Sequence, residues 1–306
     1  MANDFITPQL VARTVLATLY NQTVLLPLVW RDFDADFAGK QGATVNVRKP
    51  AVFEAQDFNR ATGIVIQDAD EDSVPITLDR LIDVSFAVGA EELTLEIDAF
   101  EERLLSPAME AINQRVDSDI AEALLEAADE SSQEVGPPTG GATASSVLTG
   151  EEGARAILGR NRLPTAGRSF VVGPEGAGVC LEDPLFVQAD KSGSTDGLRE
   201  ASIGRVFGFD TYETQTFGDP DASGSPRSEY DGVAFQRQAV VYATRTLERP
   251  RGAAEGTVAV EEYRGIGIRT VIDYDLSKKQ DVCSLDTLYG IDVLRPEAAV
   301  GVKLRA

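Results

Sequence analysis

Hydrophobic and polar residues alternate along this chain with two different periods. From Val74 to Val88 the even positions read Val74, Ile76, Leu78, Arg80, Ile82, Val84, Phe86 and Val88. The odd positions carry Pro75, Thr77, Asp79, Leu81, Asp83, Ser85 and Ala87. Alternation with period two sends successive side chains to opposite faces, so the run predicts a strand with one apolar face. At ~3.3 Å per residue it would extend roughly 50 Å, against an expected radius of gyration of about 19 Å for a compact chain of this length. Most strands run about five or six residues, so one of this reach is not expected inside a core. Upstream, TVNVRKPAVF (residues 44–53) is a shorter β-like run interrupted by a proline. The two runs bracket a polar tip and predict a long two-stranded ribbon. Such ribbons are marginal alone in water, so this one needs a partner surface.

The helical period governs two other stretches. Thr7 and Pro8 form an N-cap and first-position pair. Leu10, Val11, Val15, Leu16 and Leu19 follow at helical spacing, before an apolar run ending at Val29-Trp30. This segment reads as an ordinary packed helix or as an arm lying on a neighbouring subunit. Residues 93–130 are predicted helical, with a second cap pair at Ser106-Pro107. A ridge of Ala108, Ile112, Val116, Ile120 and Leu124 runs at i, i+4, flanked by Ala111, Ala123 and Ala127. From Pro107 to Glu130 the helix would be about 36 Å long. Glu110, Arg115, Asp117, Asp119 and Glu122 are assigned to its wet face.

EVGPPTGGATASS (residues 134–146) is the clearest breaker segment and marks a boundary. Beyond it, GEEGARAILGRNRLP predicts a short helix, and RSFVVGPEGAG a strand with a glycine-rich exit at the sheet edge. ASIGRVFGFDTYETQ (residues 201–215) predicts a short strand pair around Gly204 and Gly208, with Val206 on one face and Phe207 and Phe209 on the other. VAFQRQAVVYATRTL, TVAVEEYRGIGIRTVIDYDL and YGIDVLRPEAAVGVKL then alternate strongly, predicting a sheet packed on the long helix. Helices and strands are segregated, so the class is α+β.

Composition narrows the chemistry. The 306 residues carry 50 acidic against 28 basic side chains, a formal charge of −22, which opposes any role that depends on gripping phosphates. There is no histidine, which removes Ser-His-Asp and Cys-His catalysis, His-containing metal sites and histidine switches. Cys180 and Cys283 are too few for a disulfide framework and fit a reducing compartment as small buried hydrophobes. No secretory leader and no window of ~20 apolar residues stands out, so the expectation is a soluble protein assembled inside a cell, with no membrane role.

Motifs add little chemistry. VVGPEGAG spaces its glycines GxxGxG, lacks the GK[ST] of a P-loop, and loses one N–H to Pro174, so it reads as a turn and not a phosphate cradle. Asp68, Asp70, Asp72 and Asp79 superficially match calcium-loop spacing. Ser73 stands where a glycine is needed, and a strand follows where a helix should begin, so a solvated acidic loop is the reading taken. Nothing singles out a carboxylate pair for acid–base work, and Lys278-Lys279 reads as a solvated turn.

The order of parts resembles a tailed-bacteriophage major capsid protein of the Hong Kong ninety-seven type fold, in the Salmonella-podovirus-type coat branch. The stretches that carry the resemblance are TPQLVARTVLATLYNQTVLLPLVWRDFDADFAGKQGATVNVRKP, SVPITLDRLIDVSFAVGAEEL, LLSPAMEAINQRVDSDI, SIGRVFGFDTYET, VAFQRQAVVYATRTL and YGIDVLRPEAAVGVKL. The resemblance implies an N-terminal arm (1–40), an extended loop (41–92), a peripheral domain holding the long helix (93–135 and 236–290) and an axial domain (136–235 and 291–306). It implies pentamers and hexamers closing into an icosahedral shell around double-stranded DNA in a bacterial host cytoplasm, with a scaffolding protein and a portal as partners. The axial region is too short for the immunoglobulin-like insertion of some coats in this branch. Lys49 is the only lysine within the extended loop, which argues against covalent cross-linking. Candidate subunit-interface residues are Phe53, Glu54, Phe58, Arg60, Asp68, Asp70, Asp72 and Arg80 on the ribbon, with Arg205 and Asp210 beyond the breaker. No catalytic residue, metal or cofactor is expected. The rival readings are an encapsulin-type compartment shell and, from another class, a cytosolic enzyme.

Overall fold

A computed structural model describes residues 24–31, 44–48, 60, 73–89, 106–136, 144–187, 204–218, 229–250, 257–263, 266–278 and 280–305. The expected helix over 7–19, the outer ribbon apart from residue 60, and the helical stretch 93–105 lie outside those residues.

The period-two run forms two strands where one was expected. β1 (Thr44–Arg48) pairs antiparallel with β2 (Ser73–Thr77), with Thr44 opposite Thr77 and Val47 opposite Val74. This is the base of a two-stranded ribbon. At Leu78-Asp79 the chain leaves the ladder, and β3 (Arg80–Gly89) joins a different sheet. The alternation hides the break because both halves keep even positions inward. Ile76 and Leu78 are buried in one apolar cluster, and Ile82, Val84 and Phe86 pack on another. β3 therefore lies against the body of its own subunit, contrary to the expectation from strand length, because splitting the run leaves ten residues to be covered instead of fifteen.

The chain's long helix, α1 (Ser106–Ser131), starts at the predicted cap pair, and its 26 residues span about 39 Å. The i, i+4 ridge from Ala108 to Leu124 is buried throughout, as are Ala123 and Ala127, whereas Ala111 is exposed. Glu110, Arg115 and Glu122 are exposed as expected. Asp117 and Asp119 are not: both are buried. The helix packs on two sheets, so its covered stripe is wider than the ridge alone and reaches the positions beside Val116 and Ile120.

The first sheet is ordered β10 (Val258–Tyr263), β11 (Ile266–Asp275), β12 (Gln280–Val293) and β3, all antiparallel. β9 (Val240–Arg245) pairs with the last part of β12 on the side away from β3: Leu288 faces Leu81 on one side and Arg245 on the other. The β11–β12 turn carries Lys278 into solvent, as expected for that basic pair. The second sheet is mixed. Its order is β4 (Glu134–Val135), β13 (Ala299–Val302), β8 (Gly232–Gln236), β5 (Arg168–Val172), β7 (Phe209–Glu213) and β6 (Arg205–Val206), with β4–β13 and β5–β7 parallel. One core joins both sheets and α1: Ile112, Ile120 and Leu124 share it with Phe170, Phe235, Val300, Leu285 and Tyr289.

Of two short helices, α2 (Ala144–Thr149) begins inside the breaker stretch, where no helix was expected, and α3 (Ala154–Arg160) lies where one was predicted. The glycine-rich exit of β5 is corrected by the structure. It is no turn at an edge: β5 is internal to its sheet, and the glycines open helix α4 (Pro174–Glu182), with α5 (Pro184–Val187) after it. A Cβ on Gly176 would stand 2.6 Å from Val172 Cγ2, so its glycine serves helix-on-strand packing. The β6–β7 hairpin turns through Phe207 and Gly208, both at positive φ (54° and 90°), the mirror-turn geometry that hairpins prefer. Val206 is paired directly with Phe209, and with Phe207 all three side chains lie on the core side, in place of the predicted split between faces. Phe207 meets Phe186 edge to face at 5.8 Å.

Replacing Ile120, fully buried where α1 meets both sheets, with alanine should cost about 2–5 kcal/mol by cavity formation. Glu122→Ala, on the exposed face, should stay within about 0.5 kcal/mol. Urea unfolding of the two variants measures the difference.

Candidate assembly site at the ribbon base

The two segments that lead away from the body, residues 24–31 and the β1–β2 ribbon, are fastened at one place. It is built from the middle of α1, the end of β12 and the start of β9.

Asp119 is the centre of that place. It stands one residue before ridge residue Ile120, at the border of the covered stripe, with its side chain only 4% exposed. Tyr289, on β12, donates its hydroxyl to Asp119 Oδ2 at 2.7 Å. Arg80 Nη1 lies 2.8 Å from the same oxygen, and Arg115 Nε, one turn back on α1, lies 3.2 Å from Oδ1. Arg80 and Tyr289 are themselves register partners in the β3–β12 ladder. Burial alone would lower the Arg80 pKa, but the hydrogen bond and charge of Asp119 overcome it and raise it. Burial, reinforced by Asp119, pushes the Tyr289 phenol far up, so it stays a donor. Tyr242 of β9 stacks on Tyr289 with centroids 5.4 Å apart. A buried charge is tolerable when paired and fully hydrogen-bonded, and Asp119 meets that condition with groups from α1, β3 and β12.

On the opposite face of the sheet sits the second apolar cluster. Ile76 and Leu78 of the ribbon base pack with Val241, Ala243, Leu288 and Leu294, and Trp30 and Leu247 close over it. The ribbon crosses the sheet at Gly290. A Cβ there would stand 2.3 Å from the Thr77 carbonyl oxygen and 3.3 Å from Ile76 Cγ2, so no side chain fits. Trp30 forms a parallel bridge to Val241: its N–H donates to the Val240 carbonyl at 3.1 Å and its carbonyl accepts from Tyr242 N–H at 3.0 Å. The Arg237 guanidinium lies 5.4 Å from the Trp30 ring centroid and donates from Nε to the Val29 carbonyl.

The same outer face carries a transverse polar ladder. Asp83 of β3 is directly opposite Asp286 of β12, which is opposite Arg269 of β11. Arg269 forms an ion pair with Asp286, and Ser284 Oγ donates to Asp83 at 2.6 Å. Burial, then the hydrogen bond to Asp83, raises the Asp286 pKa against the pull of Arg269. Asp83 goes the other way: bonds from Asp286, Ser284 and Ser85 outweigh its burial and hold it down.

Of the residues expected at a subunit interface, Arg80 is thus engaged within its own subunit. Arg205 and Asp210 are brought together by the β6–β7 register, Nε to Oδ1 at 3.4 Å, with side chains 67% and 43% exposed. An ion pair this exposed contributes little stability. Arg60 lies exposed in a turn. Phe53, Glu54, Phe58, Asp68, Asp70 and Asp72 fall outside the described residues. Asp79, the last member of the calcium-like spacing, is exposed at the strand break. Among the described residues no group of three or more His, Cys, Asp or Glu side chains gathers as a metal site, and no helix is long and apolar enough to cross a membrane.

Sequence reasoning missed Asp117, Asp119, Tyr289 and Gly290. A usable signal existed for the acids: each adjoins a residue of the apolar ridge. For Gly290 the signal is a glycine inside an otherwise uninterrupted strand pattern, which marks close backbone approach.

No protein-family profile and no curated protein matches the chain. Solved structures do. A chain from Mycobacterium phage Che8 superposes with a TM-score of 0.61 at 21% identity, over 92% of this chain and 91% of that one. A chain from the capsid of the cyanophage P-SCSP1u gives 0.60 at 11% identity, over 92% and 95%. One from the mature capsid of bacteriophage PhiM1 gives 0.58 at 15% identity, over 89% and 90%. The chain has the α+β fold of phage capsid subunits.

Three substitutions test the site. Asp119→Ala leaves Arg80 and Tyr289 without their shared acceptor and should destabilise the subunit by about 3–5 kcal/mol, whereas Tyr289→Phe removes one bond to a charged group and should cost about 1.5–3 kcal/mol. Gly290→Ala should displace the ribbon base, lowering the melting temperature by several degrees, on the order of 2–4 °C per kcal/mol in a chain of this size. Calorimetry on the dissociated subunit reads all three.

Proposed function

We propose that this chain is the major capsid subunit of a tailed bacteriophage, a structural protein and not an enzyme. It self-assembles as pentamers and hexamers into an icosahedral shell that encloses double-stranded DNA. The observation that carries this reading is the end-to-end match with chains from phage capsids, covering about nine-tenths of both partners. The order of sequence stretches favours the Salmonella-podovirus-type branch.

In this reading residues 1–40 are an arm and 41–92 an extended loop. Residues 93–135 with 236–290 form a peripheral domain, and 136–235 with 291–306 an axial domain. The loop reaches across a neighbouring copy and gains there the partner surface a ribbon needs. Contacts of that head-to-tail kind close into rings and shells when the rotation permits. Phe53, Glu54, Phe58, Arg60, Asp68, Asp70 and Asp72 meet the neighbour through the loop, and Arg205 with Asp210 through the axial domain. Arg80 acts indirectly, setting the angle at which the loop leaves. A scaffolding protein guides assembly, a portal occupies one vertex, and the virion forms in the bacterial cytoplasm. A formal charge of −22 lets the shell hold DNA by enclosure with little adhesion.

Negative-stain microscopy of the purified protein, with and without scaffold, should show closed shells. Monomers or small dimers under every condition would sink the proposal. Deleting residues Glu54 to Asp72 should leave a folded subunit that builds no stable shell. Intact shells from that variant would remove the loop from the assembly mechanism.

A further inference from the structure

Asp117 occupies the other border of the α1 stripe, one residue after Val116, and is also buried. Its carboxylate faces backbone. Val24 N–H donates to Oδ2 at 3.0 Å and Leu25 N–H to Oδ1 at 3.3 Å. These amides open the single 3₁₀ turn Leu26–Leu28, whose own N-cap position is Leu25 and supplies no side-chain cap. A turn's first N–H groups need an acceptor, and here it comes from a helix more than ninety residues away in sequence. Asp117 also lines a cleft of about 520 Å³ with Val24, so the place where the chain enters the body is open to solvent beside the carboxylate.

We propose that Asp117 is a protonation-controlled latch on the N-terminal segment: ionised, it caps the 26–28 turn and holds the chain at Val24 and Leu25; protonated, it lets that entry point open. A carboxylate offers both oxygens as acceptors, whereas the acid turns one of them into a donor that cannot face an N–H. The groups around it give no compensating charge. On α1 the cleft is lined by Glu110, Asn113, Gln114 and Ser118, and across it by Glu213, Thr214, Gln215 and Thr216; none is basic. The segment 24–31 carries one charged residue, Arg31, at its far end. Burial pushes the Asp117 carboxyl up to about 6, against the opposing pull of the N–H bonds from Val24, Leu25 and Leu26. The latch therefore works in a mildly acidic range. The rest of the segment does not titrate with it, since Leu25, Leu26 and Val29 stay buried in the core and Trp30 stays bridged to β9.

The sign of the effect separates a latch from an ordinary buried acid. The folded chain binds this proton more tightly than the unfolded one, whose carboxyl titrates near 3.8. Global stability from this group is therefore greatest at low pH and falls as pH rises through about 6. The local hold runs in the opposite direction and weakens as pH falls. A buried acid without latch action shows only the first trend.

The latch is a property of one subunit and stands independently of the shell reading. Its test is site-resolved amide exchange on the full chain from about pH 4.5 to about pH 8, corrected for intrinsic rates. Protection at Val24 and Leu25 should drop about tenfold or more as pH falls through the Asp117 titration, the loss of one bond to a charged group. In Asp117→Asn it should be flat. A flat wild-type profile overturns the latch without recourse to any variant, and so does an equal acid-induced loss in Asp117→Asn.

Discussion

A buried carboxylate is costly unless it is paired or hydrogen-bonded, and Asp119 is matched by groups from three elements. That requirement fixes more than one bond. Arg80 can reach Asp119 only if β3 begins where it does, and β3 can begin there only if the chain breaks from the ribbon at Leu78-Asp79. Tyr289 can reach it only in the register that sets Tyr289 opposite Arg80. One residue earlier or later on β12 would turn the phenol to the other face. A single acid thereby sets strand register, the position of the ribbon base and the seating of α1 on the first sheet.

α1 offers two acids two residues apart, which a 100° helical step sends to opposite borders of the covered stripe. Asp119 takes β3 at its first residue, just past the ribbon, and Asp117 takes the N-terminal segment. The two departures are therefore referenced to the same rigid element. In the proposed shell small angular errors would accumulate around each ring, so a common reference for both segments is worth more than strength in either contact alone. The outer-face cluster of Ile76, Leu78, Leu288 and Trp30 serves the same end, since it joins ribbon, sheet and N-terminal segment without any titrating group.

Much of this was legible in the sequence. The apolar ridge of α1, the ribbon pairing near Thr44 and Thr77, the short helix α3 after the breaker and the β-rich final third all follow from period and punctuation. The break at Leu78-Asp79 did not, because alternation reports which residues are inward and not which core they enter. Ile76 and Ile82 obey one pattern and serve two clusters on opposite faces of the sheet. Asp117 and Asp119 were assigned to water for a related reason. Charge is a good guide to exposure on a helix with one partner, and this helix has two. The glycines of VVGPEGAG were read from spacing as a turn, where the deciding quantity was distance to Val172, which spacing does not carry.

The meeting of Arg80 with Tyr289 has a mechanical side. A strand ladder pulled at one end unzips pair by pair, and the resistance is set by whichever pair bears the load first. Any tension on the β1–β2 ribbon reaches β3 at its first residue, and the terminal rung of that ladder is Arg80 with Tyr289. The unzipping front would have to start where ion pair, phenol and stacked rings coincide, with Gly290 pressing the ribbon base to the sheet next door. Force on the ribbon is thus shared with α1 through Asp119 at that first rung.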